Sequence, residues 1–172
     1  SGHQSIKLKP NQKMFTSLGL GEMGYGLAGA LGAAAACPNK DILCMNCDGG
    51  IMMNLQELHT ILENGFNVKI IIFNNDGYLM IKHTQKNLFN GRECAINKES
   101  GVSCPDFKKI AYAFDMSYCS IKSWKDFNKE IPNVQNSSGP IICEVFMDPE
   151  QYFHPKQSVL VKENGNIVSP PL

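Results

Sequence analysis

The chain has no excess of charge of either sign. Its 172 residues carry 16 Lys plus Arg against 16 Asp plus Glu, a formal net charge of zero, so no overall field draws it to nucleic acid or to an anionic membrane. Long apolar runs are missing too: no uninterrupted stretch approaches the roughly 18 residues of a membrane span, and no charged segment precedes an apolar one at the start. Neither a span nor a secretory signal is therefore expected. Internal repeats and low-complexity tracts are absent, which excludes a repeat architecture. An even cysteine count is also lacking. Seven cysteines, scattered through apolar stretches, read as buried thiols of a reducing, cytoplasmic compartment rather than as a bridge framework. Cys44 and Cys47 form a C-x-x-C, but in a strand residues three apart point to opposite faces, which argues against a zinc or redox pair.

What is present is a composition of 43% apolar and 19% charged residues, that of a soluble globular chain the size of one domain. After a polar lead-in, Phe15 to Leu18 reads as a short strand. Tyr25 to Cys37, "YGLAGALGAAAAC", reads as a small-residue helix ending before Pro38. Ile42 to Cys47 is a second strand, Asp48 to Gly50 a turn, and Ile51 to Asn64 a helix with an inward stripe of Leu55, Leu58 and Leu62, stopped by Gly65. Val68 to Phe73, "VKIIIF", has the continuous β-branched content of a strand covered on both faces. Residues 82 to 104 show no clean period and read as a long loop that orders on binding or assembly. There follow a helix at Pro105 to Phe114, a strand at Met116 to Ile121, a helix from Trp124 to about Ile131 capped by Ser123, and a buried strand at 139 to 147. From Asp148 on, a tail with Pro149, Pro155, Pro170 and Pro171 is expected to be extended and peripheral. The sum is a single α/β domain over 1 to 172, with its ligand beyond the carboxyl ends of a mostly parallel sheet.

The strong polar clusters stand at two strand ends. Gly19, Gly21 and Gly24 match G-x-G-x-x-G, but a dinucleotide fold wants an acid closing the second strand, whereas Asp41 precedes that strand and Asp48 follows it. A cation holding a diphosphate fits the spacing better. Asp48 offers a carboxylate after one strand and Asn75 an amide oxygen after the next; Mg²⁺ takes such hard oxygens together with phosphate and water. Gly49 and Gly50 let the backbone approach phosphate at a helix N-terminus, and Gly77 lets a carbonyl turn toward the ion. The competing reading is that Asp48, Asn74, Asn75 and Asp76 are ordinary Asx turn formers beside glycine. His59 reads as a surface or packing residue, while His83 is a candidate proton donor or substrate contact.

The stretches "CDGGIMMNLQEL" and "NND", with "GLGEMGYGLAGALGAA" and "NNDGYLMIKHTQ", resemble the cofactor motifs of thiamine-diphosphate (TPP) enzymes. More closely, the chain resembles the C-terminal, diphosphate-binding domain of the acetolactate-synthase-like branch. That resemblance implies a three-layer α/β/α fold, with thiamine diphosphate and Mg²⁺ as cofactors. It implies that Asp48, Asn75 and the Gly77 carbonyl ligate Mg²⁺, and that Gly21, Met23, Gly49, Gly50, Met53, Tyr78 and Met80 contact the cofactor, Met23 as a wedge beneath the bent thiamine. Met52, Met53 and Met80 read equally as core from the residues alone. "CDGG" sets Cys47 where the family has its first glycine, and Thr84 stands where its synthases commonly carry Trp, which widens the expected activity to related decarboxylases and carboligases. A separate pyrimidine-binding domain, from the same or a second polypeptide, is implied, as are a dimer or tetramer when complete and a 2-oxo acid substrate. The chain is then the C-terminal domain of a longer enzyme or the small subunit of a split one, inactive by itself. The alternatives are a non-catalytic binding or assembly module that retains the fold, and a dinucleotide-binding domain.

Overall fold

The computed structural model describes residues 6–17, 19–151 and 159–169. Helix α1 (Tyr25–Ala36) opens directly after Gly24, whose φ of 92° suits glycine alone. Strand β1 (Ile42–Cys47) runs without a loop into the short helix α2 (Asp48–Ile51), a 3-10 turn (Met52–Asn54) and helix α3 (Glu57–Glu63). Strand β2 (Val68–Asn74) is followed by α4 (Leu79–Leu88), α5 (Phe107–Ala113), β3 (Ser117–Ile121), α6 (Trp124–Asn136) and β4 (Ile141–Phe146). A small antiparallel hairpin, β5 (Leu160–Val161) with β6 (Ile167–Val168), lies in the tail.

The first four strands make one sheet in the order β1-β2-β4-β3, parallel at every pairing. Cys47 lies opposite Phe73 and Asn74 opposite Phe146, so the carboxyl ends of β1, β2 and β4 stand side by side. Parallel strands are joined by crossovers that cover the faces. On one face Cys44, Ile70, Ile72 and Ile142 pack against Leu27, Ala30 and Ala34 of α1, Leu58 and Ile61 of α3, and Phe107 and Ala111 of α5. On the other, Ile71, Ile121, Ile141 and Cys143 meet Val134 of α6. This is the expected mixed α/β fold, in three layers.

Several local expectations need correction. Asp48 to Gly50 is not a turn but the opening of α2, so the helix starts three residues earlier than its apolar pattern indicates, and the segment to Asn64 is broken by the 3-10 turn. Residues 82 to 88 belong to α4 rather than to a loop. Only Leu79 of that helix is buried, which hides the period; good helix formers carry it, and Gln85 exchanges two side-chain bonds with the backbone of Cys94, at 2.9 and 3.0 Å, to hold the returning chain. Helix α6 runs through Pro132 to Asn136 instead of stopping near Ile131. An interior proline costs about 3 kcal/mol, and the packing of Ile131 and Val134 onto the sheet opposes that loss. Ser123 does cap α6, accepting from the Asp126 N–H at 3.2 Å.

No strand forms over residues 15–17, and Leu18, which would end it, lies outside the described residues, as do Pro155, Pro170 and Pro171 of the tail. The thiols are also less buried than expected. All seven are free, but only Cys44 and Cys143 are fully buried, while Cys37, Cys47 and Cys94 are exposed at a helix end, a strand end and a loop. Cys44 and Cys47 do fall on opposite sides of β1. Among the described residues no helix is long and apolar enough to cross a membrane.

Candidate diphosphate and metal site

Asp48 is the first residue of α2, just past the carboxyl end of β1, and is 1% exposed. Its carboxylate ties two strand ends together. Oδ1 accepts the Gly49 N–H at 2.8 Å, and Oδ2 accepts those of Asn75 and Gly77, each at 3.1 Å. A carboxylate offers about four lone-pair positions, so these three bonds among the described residues leave room for one further partner on Oδ1. Burial pushes the Asp48 carboxyl up, while the N–H groups of Gly49, Gly77 and Asn75, with a smaller pull from Asp76, draw it down.

Asn75 spends its main-chain N–H on Asp48, and its side-chain Oδ1 is buried with no hydrogen-bond partner among the described residues. Such an orphan acceptor costs on the order of 1–3 kcal/mol. The turn around it is tightly specified. Asn74 Oδ1 accepts the Asp76 N–H at 2.8 Å, an Asx turn, and Asp76 takes the left-handed φ of 60° that Asp tolerates. Asn74 and Asp76 are thus turn formers, as the simpler reading holds; Asp48 is not.

Protein atoms explain the glycines. A Cβ on Gly77, at φ 152°, would stand 2.1 Å from the Ile96 carbonyl oxygen, to which the Tyr78 N–H donates at 2.7 Å. On Gly49 it would meet the Tyr78 ring at 2.3 Å, and on Gly50 the Asn46 Oδ1 at 2.8 Å. The approach of Gly49 to Tyr78 brings the segments after β1 and β2 together.

The loop before α1 docks beside this pair. Gly21, at φ 63°, donates its N–H to the Ser17 carbonyl at 2.8 Å, and the Gly24 carbonyl accepts from Asn54 Nδ2 at 2.7 Å. A Cβ on Gly24 would lie 2.9 Å from Met53 Cβ. Met23, Met53 and Met80 are all exposed rather than core, Met52 and Tyr78 are half-buried, and Leu58 lies in the core with the half-buried Leu55 packed against it. His83 sits on α4 with Nε2 3.4 Å from the Gln151 carbonyl oxygen, turned toward the segment after β4, and His59 is exposed.

Sequence reasoning missed three residues here. Asn46 closes β1 between Gly26 and Gly50, with its Nδ2 buried and unpartnered; Asn54 pins the Gly24 loop. A polar residue at the end of an apolar strand was a legible signal for Asn46. Glu144, inside β4 and 4% exposed, has no such signal. An open cleft of about 490 Å³ lies alongside, over the carboxyl ends of β2, β3 and β4, lined by Asn74, Tyr118 and Glu144 among others.

Among the described residues no three His, Cys, Asp or Glu side chains cluster as a metal site. A cation at this place would draw on one carboxylate, one amide oxygen and a main-chain carbonyl, a hard-oxygen set of the kind Mg²⁺ takes alongside phosphate and water. The open lone pair of Asp48 and the unpartnered Asn75 Oδ1 fit that demand.

Residues 1–145 match the family model described as thiamine pyrophosphate enzyme, C-terminal TPP binding domain. The chain is 36% identical to the acetolactate synthase isozyme 1 large subunit of Escherichia coli K12, over 88% of this chain and 26% of that protein. It is 34% identical to an acetolactate synthase of Arthrospira platensis and to a probable acetolactate synthase large subunit of Methanococcus aeolicus, in each case over 84% of this chain and 24% of the relative. The chain therefore spans about a quarter of the length of these relatives. In fold it is similar to a thiamine diphosphate-dependent 4-hydroxybenzoylformate decarboxylase of Rhodococcus jostii RHA1, with a TM-score of 0.66 at 24% identity, over 73% of this chain and 23% of that one. The strand ends joined through Asp48 are thus those of a member of the C-terminal TPP-binding domain family, in its acetolactate-synthase-like branch.

Proposed function

We propose that the chain is the diphosphate- and Mg²⁺-binding portion of a thiamine-diphosphate-dependent 2-oxo acid decarboxylase or carboligase. The observation that carries this reading is the Asp48–Asn75 pair: a buried carboxylate with one lone pair open, bonded to the backbone of a residue whose own buried oxygen lacks a donor. Asp48, Asn75 and the Gly77 carbonyl hold the ion. The backbone at Gly49 and Gly50, at the start of α2, would face the diphosphate, with the Gly49 N–H already donated to Asp48 Oδ1. Gly21, Met23, Met53, Tyr78 and Met80 would contact the cofactor, with Met23 as the support for the thiamine ring. When bound, the cofactor supplies an electron sink for the carbon that loses carbon dioxide. This chain's residues anchor and orient it.

The remaining half of the site comes from a pyrimidine-binding domain, on the same or a second polypeptide, within a dimer or tetramer. The similarity of the chain to only about a quarter of each acetolactate synthase relative supports that division. The test is calorimetry with thiamine diphosphate, with and without Mg²⁺, on the assembled protein and on Asp48→Ala. Binding that needs Mg²⁺ and weakens at least about a hundredfold in the variant is expected, given that each tenfold is about 1.4 kcal/mol. Equal binding by both proteins, or none that depends on the ion, overturns the reading. Carbon dioxide release from pyruvate, present only with the pyrimidine-binding domain, separates an enzyme from a binding module.

A further inference from the structure

Glu144 is a charged side chain in the middle of a buried strand, flanked in register by Ile72 and Ser120. Burying a carboxylate is costly unless it is hydrogen-bonded. Its two oxygens take two bonds that reach both neighbouring strands: Oε2 accepts from the Tyr118 hydroxyl of β3, and Oε1 accepts from Asn74 Nδ2, at the end of β2, at 2.6 Å. Burial, then the bond to Glu144, holds the Tyr118 hydroxyl proton well above the ordinary phenol range. For stability alone, apolar residues replacing Glu144 together with both its partners would serve as well or better. What a carboxylate adds is direction. It can only accept, so Asn74 must present its NH₂ to Glu144 and its Oδ1 to the Asp76 N–H, the bond that shapes the turn. Were the amide reversed, its NH₂ would face that N–H, donor against donor. The neighbouring N–H groups of the same turn, from Asn75 and Gly77, are the ones that reach Asp48. The Met147 N–H, just after β4, closes on the Asn74 carbonyl at 2.7 Å.

We infer that Glu144 is a positioning residue: acting through the side-chain amide of Asn74, it sets the turn 74–77 that presents Asn75 and Gly77 at the ion site. The inference rests on the function proposed above for Asp48 and Asn75, and it adds a residue of β4 that touches neither ion nor cofactor.

The polarity of the bond supplies the test. Asn74→Asp places two carboxylates face to face. Adding Glu144→Gln in the same chain restores the pair with donor and acceptor exchanged, since the new amide donates to the new carboxylate at the end of β2 and still accepts from Tyr118. Two readouts are taken on the assembled protein. One is amide hydrogen exchange at Asp76 and Gly77 with no ligand present; the other is the Mg²⁺ concentration needed for thiamine diphosphate binding. Asn74→Asp alone, and Glu144→Leu, are expected to speed exchange and raise the Mg²⁺ requirement by about tenfold each, the double variant returning both to within about threefold of the parent; tenfold corresponds to the 1.4 kcal/mol of one charge-assisted bond. Circular dichroism checks that each variant is folded. A double variant no better than Asn74→Asp, or single variants with parental exchange and Mg²⁺ requirement, overturns the inference. Absence of Mg²⁺-dependent binding in the parent defeats the proposed function instead, while exchange in the ligand-free protein still decides whether Glu144 sets the turn.

Discussion

Two buried charges, at opposite ends of β2, are handled in opposite ways. Lys69, second in the strand and 4% exposed, directs its ammonium at the Asn67 side-chain oxygen and the carbonyls of Ser137 and Gly139. An ammonium has three donors, and here it has three acceptors, so the group is saturated. It staples the connection after α6 to the start of the sheet. Asp48 meets the other end of the strand with a lone pair to spare and an orphaned oxygen on Asn75 beside it. A saturated buried charge is a structural joint; an unsaturated one next to an unpaired oxygen is a socket. Burial alone does not tell them apart, but donor and acceptor arithmetic does.

The largest effect expected from breaking this comparison is on the joint. Lys69→Met keeps the packing stem but takes the ammonium from the Asn67 side-chain oxygen and the Ser137 carbonyl, while the Gly139 carbonyl keeps the Ser137 hydroxyl, at a cost of about 3 kcal/mol, since each unsatisfied buried group costs roughly 1–3. For a domain of this size that is a fall of several degrees in the thermal midpoint, because about 1 kcal/mol is worth some 2–4 °C. Mg²⁺-dependent cofactor binding is expected to stay within about twofold of the parent, since a site at the far end of the strand shares no partner with it. Weakened ion binding in a folded Lys69→Met protein would dissolve the distinction between joint and socket.

The socket should respond the other way round. Asn75→Ala keeps the backbone N–H that reaches Asp48 and deletes the side-chain amide, whose buried oxygen has no partner among the described residues. The ligand-free protein is expected to unfold at the same temperature or slightly higher, its stability rising by up to about 1 kcal/mol, because an uncompensated acceptor has been removed. Ion-dependent binding should weaken about tenfold or more, a ligand oxygen having gone. Thermal scans with and without Mg²⁺ and thiamine diphosphate read both effects together. A ligand-free loss as large as that of Lys69→Met would mark Asn75 as one more joint.

The sequence was legible where one force dominated. "VKIIIF" gives its strand within a residue because continuous apolar β-branched side chains fit a covered parallel sheet, and "ILCMNC" gives an edge strand that buries Cys44 and leaves Leu43 and Met45 exposed; the polar clusters at their ends follow from chain direction. It was illegible where tertiary contact overrode local preference. Asp-Gly-Gly has turn chemistry, and glycine costs about 1 kcal/mol in a helix, yet the bonds of the Asp48 carboxylate to the β2 end hold that segment as the first turn of α2. Glu144 lies in "IICEVF", read as a buried strand, with no local sign of a partner; Tyr118 and Asn74 lie 26 and 70 residues away, and only the strand order β2-β4-β3 brings them to it.

The smallest effect, and the one that sharpens the comparison most, is on pH. The Asp48 carboxyl is raised above the ordinary aspartate value, chiefly by burial. For an acid raised in the folded state, the protonated form is the one the fold prefers. Its contribution to the stability of the ligand-free protein is therefore fully present below the unfolded value and is lost as pH rises through the folded one. The ion reverses this preference, because a ligating carboxylate must be ionised and binding then releases a proton. Mg²⁺-dependent binding should accordingly weaken by up to about tenfold per pH unit below the raised value, and calorimetry in buffers of different ionisation enthalpy should register the released proton. Lys69 is shifted in the opposite sense, its ammonium lowered by burial, and Lys69→Met should leave that proton count unchanged while Asn75→Ala preserves its sign at weaker affinity. Binding that is flat with pH through the acid range, with no proton released, would mean that Asp48 is not the group the ion displaces a proton from, and would return it to the class of saturated joints.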